Sequence, residues 1–103
     1  MPPRRSRLPP LDYLIAFETS ARFGGFTAAA ERLNISQAAI SRQIKLLEEH
    51  LDARLFHRGH RSVQLTPAGQ AFLEHVTRAL DAVEEGVEEL RGSLDRPQVS
   101  LAA

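Results

Sequence analysis

Between Ser36 and Lys45 the chain carries side chains that pair with base edges and phosphates: Ser36, Gln37, Ala38, Ser41, Arg42, Gln43 and Lys45. The Gln37 amide offers an acceptor beside a donor, matching the two-point edge that adenine shows in a DNA major groove. Ala38 is small and apolar, suited to touching a thymine methyl, while Ala39 is read as packing or close backbone approach. Arg42 can fork onto guanine or clamp a phosphate, and Ser41 and Lys45 share its surface. A second basic cluster follows at Arg58, His60 and Arg61 around Gly59. Arginines on such a tip are drawn to the potential of a narrow minor groove. Thr27 and Ser36 stand where a hydroxyl either caps a helix or meets a phosphate. His57 and His60 are three apart, but no carboxylate or Cys nearby completes a metal shell. No nucleophile–base pair accompanies these groups, and the carboxylates gather elsewhere, so neither an enzyme nor a cofactor is expected.

The elements that position these groups follow from periodicity. Leu11, Leu14, Phe17 and Ala21 recur at three- and four-residue spacing, a first helix stopped by Gly24-Gly25. Phe26, Ala29, Ala30 and Leu33 form the apolar side of a short second helix, for which Thr27 is a candidate N-cap. Asn34-Ile35-Ser36 reads as a tight turn, with Asn tolerating left-handed backbone and Ser36 capping the next helix. That third helix runs from Gln37 to Leu51. Ile40, Ile44, Leu47 and Leu51 lie on one face, and Gln37, Ser41, Lys45 and Glu48 on another. Two helices joined by so short a turn have the layout of a helix-turn-helix over residues 26–45. Two β-like segments, 53–57 and 62–66, flank Arg58-Gly59-His60-Arg61 and predict a two-stranded wing within 53–66. Pro67 opens a long helix over 67–92. Its residues Leu73, Val76, Leu80, Val83, Val87 and Leu90 are spaced 3, 4, 3, 4, 3, a heptad seam. Gly92 and then Pro97 are expected to end it. Such a stripe either covers its own domain or pairs with a second copy, and its length favours the dimer.

Composition bounds the reading. The 103 residues suit one domain, and 43% hydrophobic with 25% charged is ordinary for a water-soluble fold. No apolar run reaches the roughly 20 residues that span a bilayer, so no membrane partner is expected. The basic start, Arg4-Arg5-Ser6-Arg7, is followed by Pro9, Pro10 and Asp12 rather than an apolar core, which argues against a signal peptide. The absence of cysteine fits a reducing cytoplasm. Net charge is zero, yet residues 1–66 hold ten Lys and Arg against six Asp and Glu, while 67–103 hold three against seven. This describes a basic head on an acidic body.

From Leu11 to Gly69 the chain resembles the N-terminal domain of LysR-type transcriptional regulators. The matching residues are Leu14, Phe17, Phe26-Thr27, Ala29-Ala30, Leu33 and Ser36-Gln37-Ala38-Ala39-Ile40-Ser41. They continue through Gln43-Ile44, Leu47-Glu48, Leu51, Leu55-Phe56, Arg58, Arg61 and Leu65-Thr66-Pro67-Ala68-Gly69. The details of Arg7-Leu8-Pro9-Pro10-Leu11 and Gln37-Ala38-Ala39-Ile40-Ser41 look most like the branch containing the glycine-cleavage activator.

The resemblance implies a mainly α fold: a winged helix-turn-helix of three helices and a two-stranded β wing, followed by a linker and dimerisation helix. It implies that the third helix enters the major groove with the wing near the minor groove. Two linker helices would pair antiparallel and set two readers on an interrupted inverted repeat. Residues 1–10 are then a flexible arm and 11–66 the DNA-binding domain. The stretch 93–103 becomes a hinge towards an effector domain that the chain does not include. Family members sense a small molecule through that domain and in some cases assemble further, as tetramers. The expected setting is the bacterial cytoplasm, at the nucleoid when bound. Three positions depart from the family pattern: Asp52 replaces a usual Gly, Gly25 a common Ser, and Ala38-Ala39 a frequent Pro. The competing reading is an interaction module in which the helical seam alone is functional; it leaves the turn, the polar helix face and the basic tip without a role.

Overall fold

The computed structural model describes residues 2–58 and 63–95, with side chains to 93. Five helices follow one another: α1 Arg4–Arg7, α2 Leu11–Phe23, α3 Phe26–Leu33, α4 Gln37–Leu51 and α5 Pro67–Asp95. The first stretch, read as an arm, thus contains one turn of helix.

Each break between helices has a local cause. Gly24 turns the chain through φ 78°, and the Gly24 and Gly25 amides both donate to the Ser20 carbonyl. Asn34 takes the left-handed conformation at φ 59°, as the turn between α3 and α4 demands. The Ser36 hydroxyl then accepts from the Ala39 amide at 3.0 Å, capping α4. Asp52 ends α4 at φ 52°, doing with a side chain what glycine does without strain. Thr27 does not cap α3. Gly25 holds that place and no side chain bonds the freed amides, so Thr27 is already inside the helix.

The core gathers where α2, α3, α4 and the start of α5 meet. Phe17, Ile40, Ile44, Leu47, Leu55 and Phe56 are its largest fully buried apolar side chains. Phe17 and Phe56 pack at 5.5 Å between centroids, and Phe26 meets Phe56 edge-on at 5.7 Å. Phe72 of α5 lies 5.7 Å from Phe17 and ties the long helix to the head.

The expected two-stranded wing reduces, among the described residues, to one antiparallel bridge between Phe56 and Leu65. The His57 amide donates to the Gln64 carbonyl at 2.8 Å and the Thr66 amide to the Leu55 carbonyl at 3.0 Å. No strand is present among those residues, and 59–62 lie outside them. One reason is local: the Leu55 and Phe56 amides donate to the Glu48 carboxylate rather than to a ladder. Beyond the bridge, Thr66 caps α5 by accepting from the Gly69 amide at 2.9 Å while donating to the Arg54 carbonyl. Gly69 is required by approach: a Cβ there would stand 2.1 Å from the Leu55 carbonyl oxygen.

The helix α5 runs through Gly92 to Asp95, so glycine does not end it as expected. A lone helical glycine costs only about 1 kcal/mol relative to alanine, too little to stop a helix whose neighbours propagate it. The heptad seam also divides. Val76 is buried, and Leu73 and Leu80 are half-buried against the core of their own domain. These three thus pack at least partly on their own domain. Val83, Val87 and Leu90 remain 60%, 42% and 61% exposed.

Candidate nucleic-acid interface

The polar side of α4 and the N-terminus of α3 border one open concavity of about 1360 Å³, closed on its far side by the residues after α4. Thr27, Gln37, Ser41, Arg42, Lys45 and Arg58 all line it, which brings six of the sequence-predicted site residues together. Ser36 and Ala38 are exposed at the start of α4, beside this surface. Gln43 is half-buried and does not line it. His60 and Arg61 lie outside the described residues.

The chemistry of the face is set by which cations are already occupied. Arg22 chelates Glu18 of the same helix through two bonds of 2.9 Å. Arg32 stacks 3.9 Å above the centre of the Phe23 ring. Arg42 and Lys45 are exposed and form no ion pair with any described residue, although Glu48 and Glu49 lie on the same helix. The face is not uniformly basic, since Glu31, Glu49 and Asp52 border it as well. At the start of α4 no acidic residue stands in the first turn, leaving the positive end of the helix dipole uncompensated. Ser36 accepts from Ala39 but donates to no described residue, so its hydroxyl proton is available to an anion.

Arg58, read from the sequence as a wing cation near DNA, has one terminal nitrogen paired with the Glu48 carboxylate. The arginine side chain is about half exposed and keeps other donors for a second partner. Glu48 itself was read as part of the polar face; it is buried, with 7% of its side chain exposed. Its carboxylate accepts from the Leu55 amide at 2.8 Å, the Phe56 amide at 3.2 Å and Arg58. It therefore clamps the segment after α4 onto that helix. The signal that finds it is spacing: Glu48 continues the ridge Ile40, Ile44 at four-residue steps, so it shares the core stripe.

A second feature was not expected from sequence. The Thr27 hydroxyl donates to the Gln37 amide oxygen at 3.0 Å, linking the first turns of α3 and α4 across ten positions. The concavity also includes Ala28 and Arg54, which sequence reasoning passed over, and His57, which it weighed only as a metal ligand.

Helix-turn-helix geometry with this surface defines a class, and comparison with known proteins places the chain in it. Residues 11–70 match the family described as bacterial regulatory helix-turn-helix protein, lysR family. The chain is 42% identical over 96 residues to a glycine cleavage system transcriptional activator homolog of Haemophilus influenzae, covering 93% of this chain and 32% of that protein. It is 41% identical over 88 residues to the HTH-type transcriptional regulator PerR of Escherichia coli, covering 85% and 30% respectively. Among solved structures, the BenM DNA-binding domain in complex with catB site 1 DNA superposes with a TM-score of 0.79 at 34% identity. That match covers 84% of this chain and 97% of that one. The CbnR DNA-binding domain in its DNA complex gives 0.73 at 38% identity, covering 82% and 98%. This chain belongs to the LysR family of bacterial helix-turn-helix regulators. It spans about a third of the length of the curated relatives it matches.

Proposed function

We propose that this chain binds double-stranded DNA sequence-specifically, as a homodimer, and serves as the DNA-binding head of a transcription regulator. The observation that carries the reading is the exposed face of α4: Gln37, Ser41, Arg42 and Lys45 border one concavity without being consumed by the fold. In this reading α4 enters the major groove. Gln37 and Arg42 contact base edges, Ala38 approaches a thymine methyl, and Ser36 and Lys45 hold phosphates. The DNA complexes of the BenM and CbnR domains support it, because their fold is shared over more than four fifths of this chain. Arg58 serves as a backbone contact through the donors that Glu48 leaves free. His60 and Arg61 would extend that contact from the wing.

Dimerisation uses the distal part of α5. Val83, Val87 and Leu90 form an exposed apolar stripe at heptad spacing, and a second antiparallel copy is the partner that covers it. Two readers related by a two-fold axis require two half-sites in inverted orientation. The rest of a regulator of the relatives' length would hold a small-molecule effector domain and support assembly beyond the dimer. The chain acts in the bacterial cytoplasm at the nucleoid, binding rather than catalysing. Among the described residues no helix is long and apolar enough to cross a membrane.

The test is selection of bound sequences from a random duplex pool at near-physiological salt. Recovery of an inverted repeat with two spaced half-sites is the expected result. Binding that appears only at very low salt and enriches no sequence would remove the specific-reader assignment and leave the helical seam as the working surface.

A further inference from the structure

Resting on the reading of α4 as the base-reading helix, we infer that Thr27 is a specificity-determining positioning residue. Its hydroxyl holds the Gln37 amide oxygen so that the amide meets the base edge in one orientation. The Thr27 hydroxyl donates to Gln37 Oε1 at 3.0 Å. Thr27 has no competing duty, since α3 begins at Phe26 and carries no side-chain cap. Its backbone is locked in a helical turn, and a β-branched side chain in a helix has few χ1 rotamers, so the donor is stiff. Gln37 is the reverse: exposed, long, and bonded to no other described side chain. A free glutamine loses much rotamer freedom when it binds, and a hydrogen bond formed beforehand removes part of that cost.

The bond also selects a base. A half-turn about the last torsion of glutamine exchanges its oxygen and nitrogen, so a free amide offers either end to a base edge. With Oε1 held towards Thr27, one lone pair on that oxygen and both Nε2 hydrogens remain for DNA. Adenine presents an acceptor at N7 and a donor at N6, which this arrangement matches. Guanine presents two acceptors, N7 and O6, and the held oxygen would face one of them without a proton between. Thr27 thereby favours adenine over guanine without touching either.

The experiment compares Thr27→Val, which keeps shape and branching, with Thr27→Ser, which keeps the hydroxyl. Duplexes carrying adenine or guanine at the position whose preference Gln37→Ala abolishes are titrated by fluorescence anisotropy at fixed salt, with folding checked by circular dichroism. Thr27→Val should lower the adenine-to-guanine affinity ratio by about 3- to 10-fold. Thr27→Ser should leave it within about twofold, and Thr27→Val should add nothing in the Gln37→Ala background. Equal weakening of both duplexes by Thr27→Val, persisting in the Gln37→Ala background, would make Thr27 a direct phosphate contact and overturn the inference. An unchanged ratio while Gln37→Ala remains effective overturns it too. If Gln37→Ala alters no base preference, the base-reading assignment beneath it has failed instead.

Discussion

Glu48→Ala is the perturbation that most directly tests how the head is held together. The carboxylate is buried and receives the Leu55 and Phe56 amides and the Arg58 guanidinium. Both backbone residues are 1% exposed, so water cannot replace the lost acceptor without opening the core. An orphaned buried donor costs about 1–3 kcal/mol, and two are created, while Arg58 loses its anchor. For a domain of this size each kcal/mol moves Tm by about 4–8 °C, so a loss of about 2–6 kcal/mol from the two amides should lower Tm by at least about 8 °C. Glu48→Gln keeps one acceptor oxygen for the amides but turns a donor towards Arg58, and should cost about 1–2 kcal/mol. Arg58→Met removes a half-exposed partner and leaves both amide bonds intact, so its cost should be about 1 kcal/mol or less. Urea unfolding followed by circular dichroism, at one fixed protein concentration, measures all three. The order Ala, Gln, then Arg58→Met is the expected ranking. A Glu48→Ala loss below about 0.5 kcal/mol at unchanged m would refute the clamp.

Gly69→Ala should destabilise by about 1–3 kcal/mol, because its Cβ meets the Leu55 carbonyl oxygen at 2.1 Å and backbone must move; thermal melting reads this. Ser20 is fully buried with its hydroxyl unpaired, so Ser20→Ala should leave stability unchanged or raise it by up to about 1 kcal/mol in the same assay. Val83→Asp with Val87→Asp should shift sedimentation from dimer to monomer while helix content of the head stays, since neither residue packs on the core. Arg42→Gln should flatten the dependence of log K on log salt by about 0.9 per subunit if Arg42 neutralises a phosphate, and leave it unchanged if it contacts only bases.

Much of the fold was legible because its signals are local. The apolar period of Leu14, Phe17 and Ala21, or of Ile40, Ile44, Leu47 and Leu51, needs only the helical repeat to be read. Gly24, Asn34 and Asp52 occupy left-handed backbone, and Ser36 caps α4, because these are properties of one residue and its neighbours. The clustering of Gln37, Ser41, Arg42 and Lys45 on one face follows from the same repeat. What the repeat does not encode is the object that each face meets. Leu73, Val76 and Leu80 read identically to Val83, Val87 and Leu90, yet only the first three fall under the reach of the core beside Phe17 and Phe72. Glu48 and Arg58, like Thr27 and Gln37, stand ten residues apart. Their pairing exists only after α3, α4 and the following segment have packed, since turn geometry and core contacts, rather than local preference, set those distances. The sequence by itself determined which residues fold into helices and which face each other along one of them; the tertiary structure alone decided which charge is buried, which arginine is tethered and which half of the seam is left exposed.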